Sequence, residues 1–110
     1  MERIGHYVIA LAPGADAEKF KAHMTSALFK DHSMMAPTRI TRGFAHRLLA
    51  VAGGPDGMPA KYVWQVTADL MGNGNYDFAG NAAKVQEGVK DFGVLTDVID
   101  LIDVEADDRH

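Results

Sequence analysis

Cysteine is missing altogether, so the chain can form no disulfide and offers no thiolate nucleophile or thiolate metal site. No apolar run approaches 18 residues, and Met1-Glu2-Arg3 lacks the basic-then-apolar layout of a signal peptide. A soluble cytoplasmic protein away from the membrane is the expectation. Positive charge is in short supply: 11 Lys and Arg stand against 15 Asp and Glu, for a net charge of −4. Nucleic-acid affinity rests largely on phosphate neutralisation, so that balance argues against a nucleic-acid partner. "GNGN" and "GGPDG" lack the Lys-Ser/Thr ending and the strand-to-helix setting of a phosphate-binding loop. The five histidines form no helical i, i+4 pair and no tight set with a carboxylate, so no metal is expected.

What is present is ordinary globular composition, 47% hydrophobic and 24% charged, over 110 residues. Length and the absence of a linker make residues 1–110 one domain with a modest core. Residues 4–11 read as a strand closed by Pro13-Gly14. Asp16 is placed as a helix cap, and Phe20, Met24 and Leu28 at spacing four predict an amphipathic helix over 17–30 that cannot continue past Pro37. "RITRGFAHRLLAV" (39–51) predicts a second strand, "GGPDGMPA" a turn, and "KYVWQVTADLM" a third strand alternating through Tyr62, Trp64, Val66 and Ala68. Phe78, Ala82, Val85, Val89 and Phe92 mark a second helix ended by Gly93, and "VLTDVIDLIDV" a last strand before a solvated tail.

The order β-α-β-β-α-β predicts an α+β, ferredoxin-like fold, with a four-stranded antiparallel sheet and both helices on one face. A sheet wet on its other side should alternate apolar and polar residues. The first strand instead carries Val8 and Ala10 on one side and Tyr7, Ile9 and Leu11 on the other; the last strand sets Val98, Ile102 and Val104 against Ile99 and Leu101. Gln65, Thr67 and Asp69 make the third strand less clear. Because a large open apolar face usually marks a partner surface, a homodimer stacked sheet on sheet is expected.

From "HYVIALAPGADAEKF" through "YVWQVTADL" to "VIDLIDVE" the chain resembles the dimeric α+β barrel superfamily over almost its whole length. The opening, a histidine and apolar run followed by P-G-x-D-x-E-K-F, carries most of the likeness. That superfamily includes stress-responsive barrel proteins, cofactor-free quinone-forming monooxygenases, muconolactone isomerases, polyketide cyclases of the olivetolic-acid kind and RedY-like proteins of prodigiosin-type biosynthesis. The resemblance implies a cavity between helices and sheet in each subunit. Against the cyclase branch it implies that His6 faces the cavity, that His23 matches a cavity tyrosine and that Trp64 matches a cavity histidine. That branch's second-helix histidine is missing, only Tyr76 and Asn81 being near. The residue set of a haem-degrading or peroxidase branch is missing too, so no haem is implied.

His6 reads equally as a core histidine bonded to a backbone carbonyl and as a pocket acid or base, since imidazole exchanges protons near neutral pH. His23 borders the first helix's apolar stripe; were that helix to pack on the His6 face, the two rings would approach one cavity. Arg42, Phe44 and His46 share one face of the second strand and Arg47 takes the other, a bulge being able to exchange the arginines. Either guanidinium would suit a carboxylate or enolate, or would pair with Asp97, Asp100 or Asp103. Tyr62 and Trp64 read as core packing or as a stacking surface for a planar ligand. Tyr76, at the mouth of the second helix, would bond a ligand or cap its loop. "RGFAHRLL" begins like an RNA-recognition signature, but His46 stands where the base-stacking aromatic belongs.

These residues suggest a homodimeric enzyme of specialised or aromatic metabolism that uses neither metal nor organic cofactor. His6, assisted by His23 or His46, would move a proton in a cyclisation, condensation, dehydration or isomerisation of a small apolar carbonyl or heteroaromatic compound. Tyr62, Trp64, Phe44, Tyr76 and Arg42 would bind it. A cofactor-free monooxygenase of the same fold and a non-catalytic stress-related or ligand-binding homodimer are the alternatives.

Overall fold

Strand β1 (Glu2–Leu11) runs through the middle of the sheet, because its apolar residues on both sides tolerate a neighbour along each edge and a layer on each face. A computed structural model describes residues 2–28, 41–54, 59, 61–72 and 74–102. After β1 come helix α1 (Ala17–Ala22), a π-helical segment (His23–Leu28), strands β2 (Thr41–Ala50) and β3 (Lys61–Leu70), a 3₁₀ turn (Ala79–Asn81), helix α2 (Ala82–Val89) and strand β4 (Gly93–Leu101). The sheet order is β2-β3-β1-β4 with every neighbour antiparallel, an α+β arrangement compatible with a ferredoxin-like fold. Residues 29–40, 55–58 and 103–110, which carry His32, Pro37, Asp103, Val104, His110, the start expected for the second strand and part of the turn, lie outside the described residues.

Local chemistry explains the element ends. Gly14 takes φ 80°, a conformation that favours glycine, and turns the chain off β1. Asp16 caps α1 as expected, its Oδ1 accepting from the Glu18 and Lys19 amides at 3.0 and 3.1 Å. The α-helical winding stops at Ala22, earlier than the spacing of Phe20, Met24 and Leu28 predicts. There the Thr25 hydroxyl donates to the Lys21 carbonyl at 2.9 Å, a back-bond that competes with regular winding. The second helix is also shorter than predicted, and Gly93 opens β4 rather than closing the helix. A Cβ at Gly93 would run into the Ala10 carbonyl, so the close approach of β4 to β1 requires glycine here.

The core occupies one face only. Tyr7 and Ile9 of β1, and Tyr62, Trp64, Val66, Ala68 and Leu70 of β3, meet Phe20 and Met24 from the first helical stretch and Phe78, Val85 and Val89 from the second. All are nearly inaccessible to water, and both helices lie on this side, as the pattern of β3 predicts. A bulge between Val8 and Ile9 against β4 shifts that strand's alternation, turning Leu95 and Val98 inward while Ile99 stays exposed. The Gln86 side chain serves the bulged edge, accepting from the Leu95 amide at 2.8 Å and donating to the Gly93 carbonyl at 3.3 Å. No helix among the described residues is long and apolar enough to cross a membrane.

Candidate functional site

Between the π-helical segment and strands β2 and β3 lies a cleft of about 210 Å³, lined by Met24, Thr25, His46, Arg47, Leu48 and Trp64. Its base is aromatic. The His46 ring lies nearly parallel to the Trp64 indole, centroids 5.2 Å apart and planes 14° apart. Trp64 is fixed from below by Tyr7 at 5.7 Å, and Phe44 extends the row to Tyr76 at 5.2 Å. Alternation along β2 puts Phe44, His46 and Leu48 on the helix side, where the wider π turn sets Met24 and Thr25 opposite them. The Thr25 proton is committed to the Lys21 carbonyl, so toward the cleft its hydroxyl oxygen is an acceptor. The cleft therefore combines an aromatic floor, apolar walls, one imidazole, one hydroxyl acceptor and the Arg47 side chain at its border, the composition of a small-molecule site.

The histidines do not converge. Helix packing selects the Tyr7 face of β1, so His6 points to the opposite side of the sheet from His23 and His46. The condition under which His6 and His23 would share a cavity is not met. Instead His6 stands beside Gln65 of β3, whose Nε2 donates to His6 Nε2 at 3.0 Å and so calls for the neutral ring protonated at Nδ1. His6 lines neither the cleft nor the smaller hollow of about 90 Å³ formed by Ala45, His46, Arg47, Gln65 and Thr67.

His23 ties the first helical stretch to α2. Its Nε2 donates to the Gly88 carbonyl in the last turn of α2 at 2.7 Å, and its ring packs 5.2 Å from Phe92. His23→Ala is expected to cost about 1–2 kcal/mol in urea unfolding, from one hydrogen bond and one ring contact. Ligand binding in the cleft should be unchanged, which separates this anchoring role from chemistry.

The remaining candidates divide the same way. Tyr62 is buried against Phe20 at 5.1 Å and belongs to the core rather than to the cleft lining. Tyr76 is buried between Phe44 and Phe78, its hydroxyl accepting from Asn81 Nδ2 at 3.3 Å. Burial raises its pKa, and that of Tyr7 more strongly, so both phenols stay protonated; the Tyr7 hydroxyl donates to the Phe78 carbonyl at 2.7 Å. Arg42 is the extra residue of a bulge between Thr41 and Gly43, and it is drawn toward Asp69 at 3.8 Å and the Leu70 carbonyl at 3.4 Å. The aspartates of β4 are out of its reach, because β2 and β4 form opposite edges of the sheet. Asp100 pairs with Arg3 at 2.7 Å, and Arg3 also bonds Asn75, fastening the loop before α2 to the sheet.

The residue pattern alone does not mark Thr25 or Leu48 as lining residues. Leu48 was reachable from the parity of Phe44 and His46, whereas Thr25 enters only through the π turn. Among the described residues no group of three or more His, Asp or Glu side chains stands together in a way that would hold a metal ion. No protein-family model, no curated protein and no solved structure matches the chain.

Proposed function

We propose that the protein is a small cofactor-independent enzyme of specialised or aromatic metabolism, with His46, stacked on Trp64, moving a proton on a ligand held in the cleft beside it. The single observation behind this reading is the cleft in which an imidazole lies flat on an indole beneath Met24 and Thr25. At about 210 Å³ it is larger than the roughly 150 Å³ apolar cavity known to admit benzene, so a one- or two-ring compound fits. Apolar walls favour an aromatic or heteroaromatic carbonyl compound, and Thr25 offers an acceptor to a phenol or ring N–H. The reaction class is the proton-transfer group already named: cyclisation, condensation, dehydration or isomerisation. His46 replaces His6 as the acid–base group because it alone of the two borders the cleft. Each cleft would belong to one subunit of a pair stacked through the uncovered sheet faces.

A binding role without chemistry is the second reading. It is favoured by the lining itself, where Met24, Leu48 and Trp64 offer apolar contact to a bound ring.

Trp64 is the only tryptophan, so its fluorescence reports on the cleft. Titration with β-tetralone, a bicyclic ketone with exchangeable α-protons, is expected to quench that signal saturably. In deuterated buffer the protein should accelerate α-proton exchange, followed by NMR. His46→Gln should reduce the acceleration by about 10²- to 10⁴-fold while His6→Gln leaves it intact. Quenching without exchange would select the binding reading, and neither response would overturn both.

A further inference from the structure

Arg47 sits on β2, an edge strand, where no further strand of the sheet separates one face from the other. Alternation groups it with Ala45 and Leu49 on the uncovered face, yet it borders hollows on both sides. One is the cleft of about 210 Å³ beside His46 and Trp64, and the other is the hollow of about 90 Å³ beside Gln65 and Thr67. The residue is exposed.

The other arginines among the described residues are engaged: Arg3 pairs with Asp100 at 2.7 Å, and Arg42 is drawn toward Asp69 at 3.8 Å. Arg47 has neither an ion-pair nor a side-chain hydrogen-bond partner among them. Gln65, directly across from it in register, has its Nε2 committed to His6 at 3.0 Å. Arg47 is thus a permanent cation at the border of an aromatic cleft, with its N–H donors unspent.

We infer that the cleft takes a planar ring carrying a carboxylate, the ring entering beside His46 and the carboxylate bound by Arg47. The inference rests on the cleft reading proposed above and names its substrate class. With a net charge of −4 the chain as a whole repels an anion, so a local cation is needed to hold one. Among the described residues bordering the two hollows, Arg47 is the one permanent charge. An amine would meet like charge there, and a neutral ring would leave the guanidinium unused. A carboxylate matches it in geometry as well as in sign, because the guanidinium fork gives two parallel N–H···O bonds to its two oxygens. One guanidinium balances a monoanion, whereas a phosphate dianion calls for further cations. Apolar walls on one side of the pair lower the local dielectric and strengthen the attraction over that in open water.

Calorimetric titration of the full chain with three ligands of one ring system tests this: β-tetralone, its 6-carboxylate and the neutral 6-carboxamide. At low salt and about neutral pH, where the carboxylate is ionised, it is expected to bind about five- to tenfold more tightly than the carboxamide and to displace β-tetralone competitively. The margin should shrink as salt is raised. It should fall below about twofold in Arg47→Gln and take an intermediate value in Arg47→Lys, which keeps the charge but not the fork. A carboxamide bound as tightly as the carboxylate by the wild-type protein would overturn the inference, as would a margin that survives Arg47→Gln. So would loss of all binding in an Arg47→Gln protein whose urea midpoint is unchanged, because Arg47 would then serve the ring and not the charge. β-Tetralone bound with no gain from the carboxylate defeats this inference alone; failure of all three ligands to bind defeats the cleft reading with it.

Discussion

Phe78→Ala is expected to lower the unfolding free energy by about 3–5 kcal/mol, the range for emptying a large buried aromatic site. The ring is wholly buried, lies edge-on to both Tyr7 and Tyr76, and sits directly over Gly5 of β1. A Cβ at Gly5 would run into the Phe78 ring, so the glycine is the socket and the ring its occupant. Gly5→Ala should therefore cost about 1–3 kcal/mol by overpacking. In Gly5→Ala/Phe78→Ala the new methyl enters the space the ring has left, and the combined loss should fall short of the sum of the two. Urea titrations check this: each midpoint should fall while the slope holds, because the surface exposed on unfolding hardly changes. A domain of this class has about 5–15 kcal/mol in hand, so Phe78→Ala alone consumes a large part of it.

Trp64→Ala is the second large effect, again about 3–5 kcal/mol, and it acts on two properties at once. The indole is almost fully buried, touches Tyr7 below and carries His46 above. Its loss opens the core and removes the surface on which His46 rests. Trp64→Phe should retain most of the stability and a shallower stack. β-Tetralone affinity, read by calorimetry since the fluorophore is gone, should fall moderately in Trp64→Phe and beyond detection in Trp64→Ala. Unchanged affinity in Trp64→Phe combined with abolished affinity in His46→Ala would show that the imidazole, not the indole, holds the ring.

Much of the architecture is legible in the residues. The alternation Tyr62, Trp64, Val66, Ala68 names the covered face of β3, and Pro13-Gly14 with Asp16 names the first strand-to-helix joint. The placement of His6 is not legible for a definite reason. Its strand is apolar on both sides, so alternation identifies two faces without telling which one the helices choose. That choice depends on Gly5 accepting Phe78, a contact between residues far apart in the chain. Bulges add a second loss: the irregularity beside Val8 and Ile9 resets the parity of β4, and the one at Arg42 takes that arginine out of the Phe44–His46 row. The cleft is harder still, since it depends on a widening of the first helix that leaves no periodic trace. His46 was visible as a strand residue, but its neighbour Thr25 was not.

The central position of β1 has a consequence for how the chain reaches its native state. Of the four strands of the sheet, β1 is the first to leave the ribosome and is held between β3 and β4, and β4 is the last of the four to emerge. Only β2 and β3 can associate as sequence neighbours, so the earliest cooperative nucleus is expected in that pair, while the N-terminal segment waits with both edges open. Closure of the sheet is then a late event that must bring its first and last strands together.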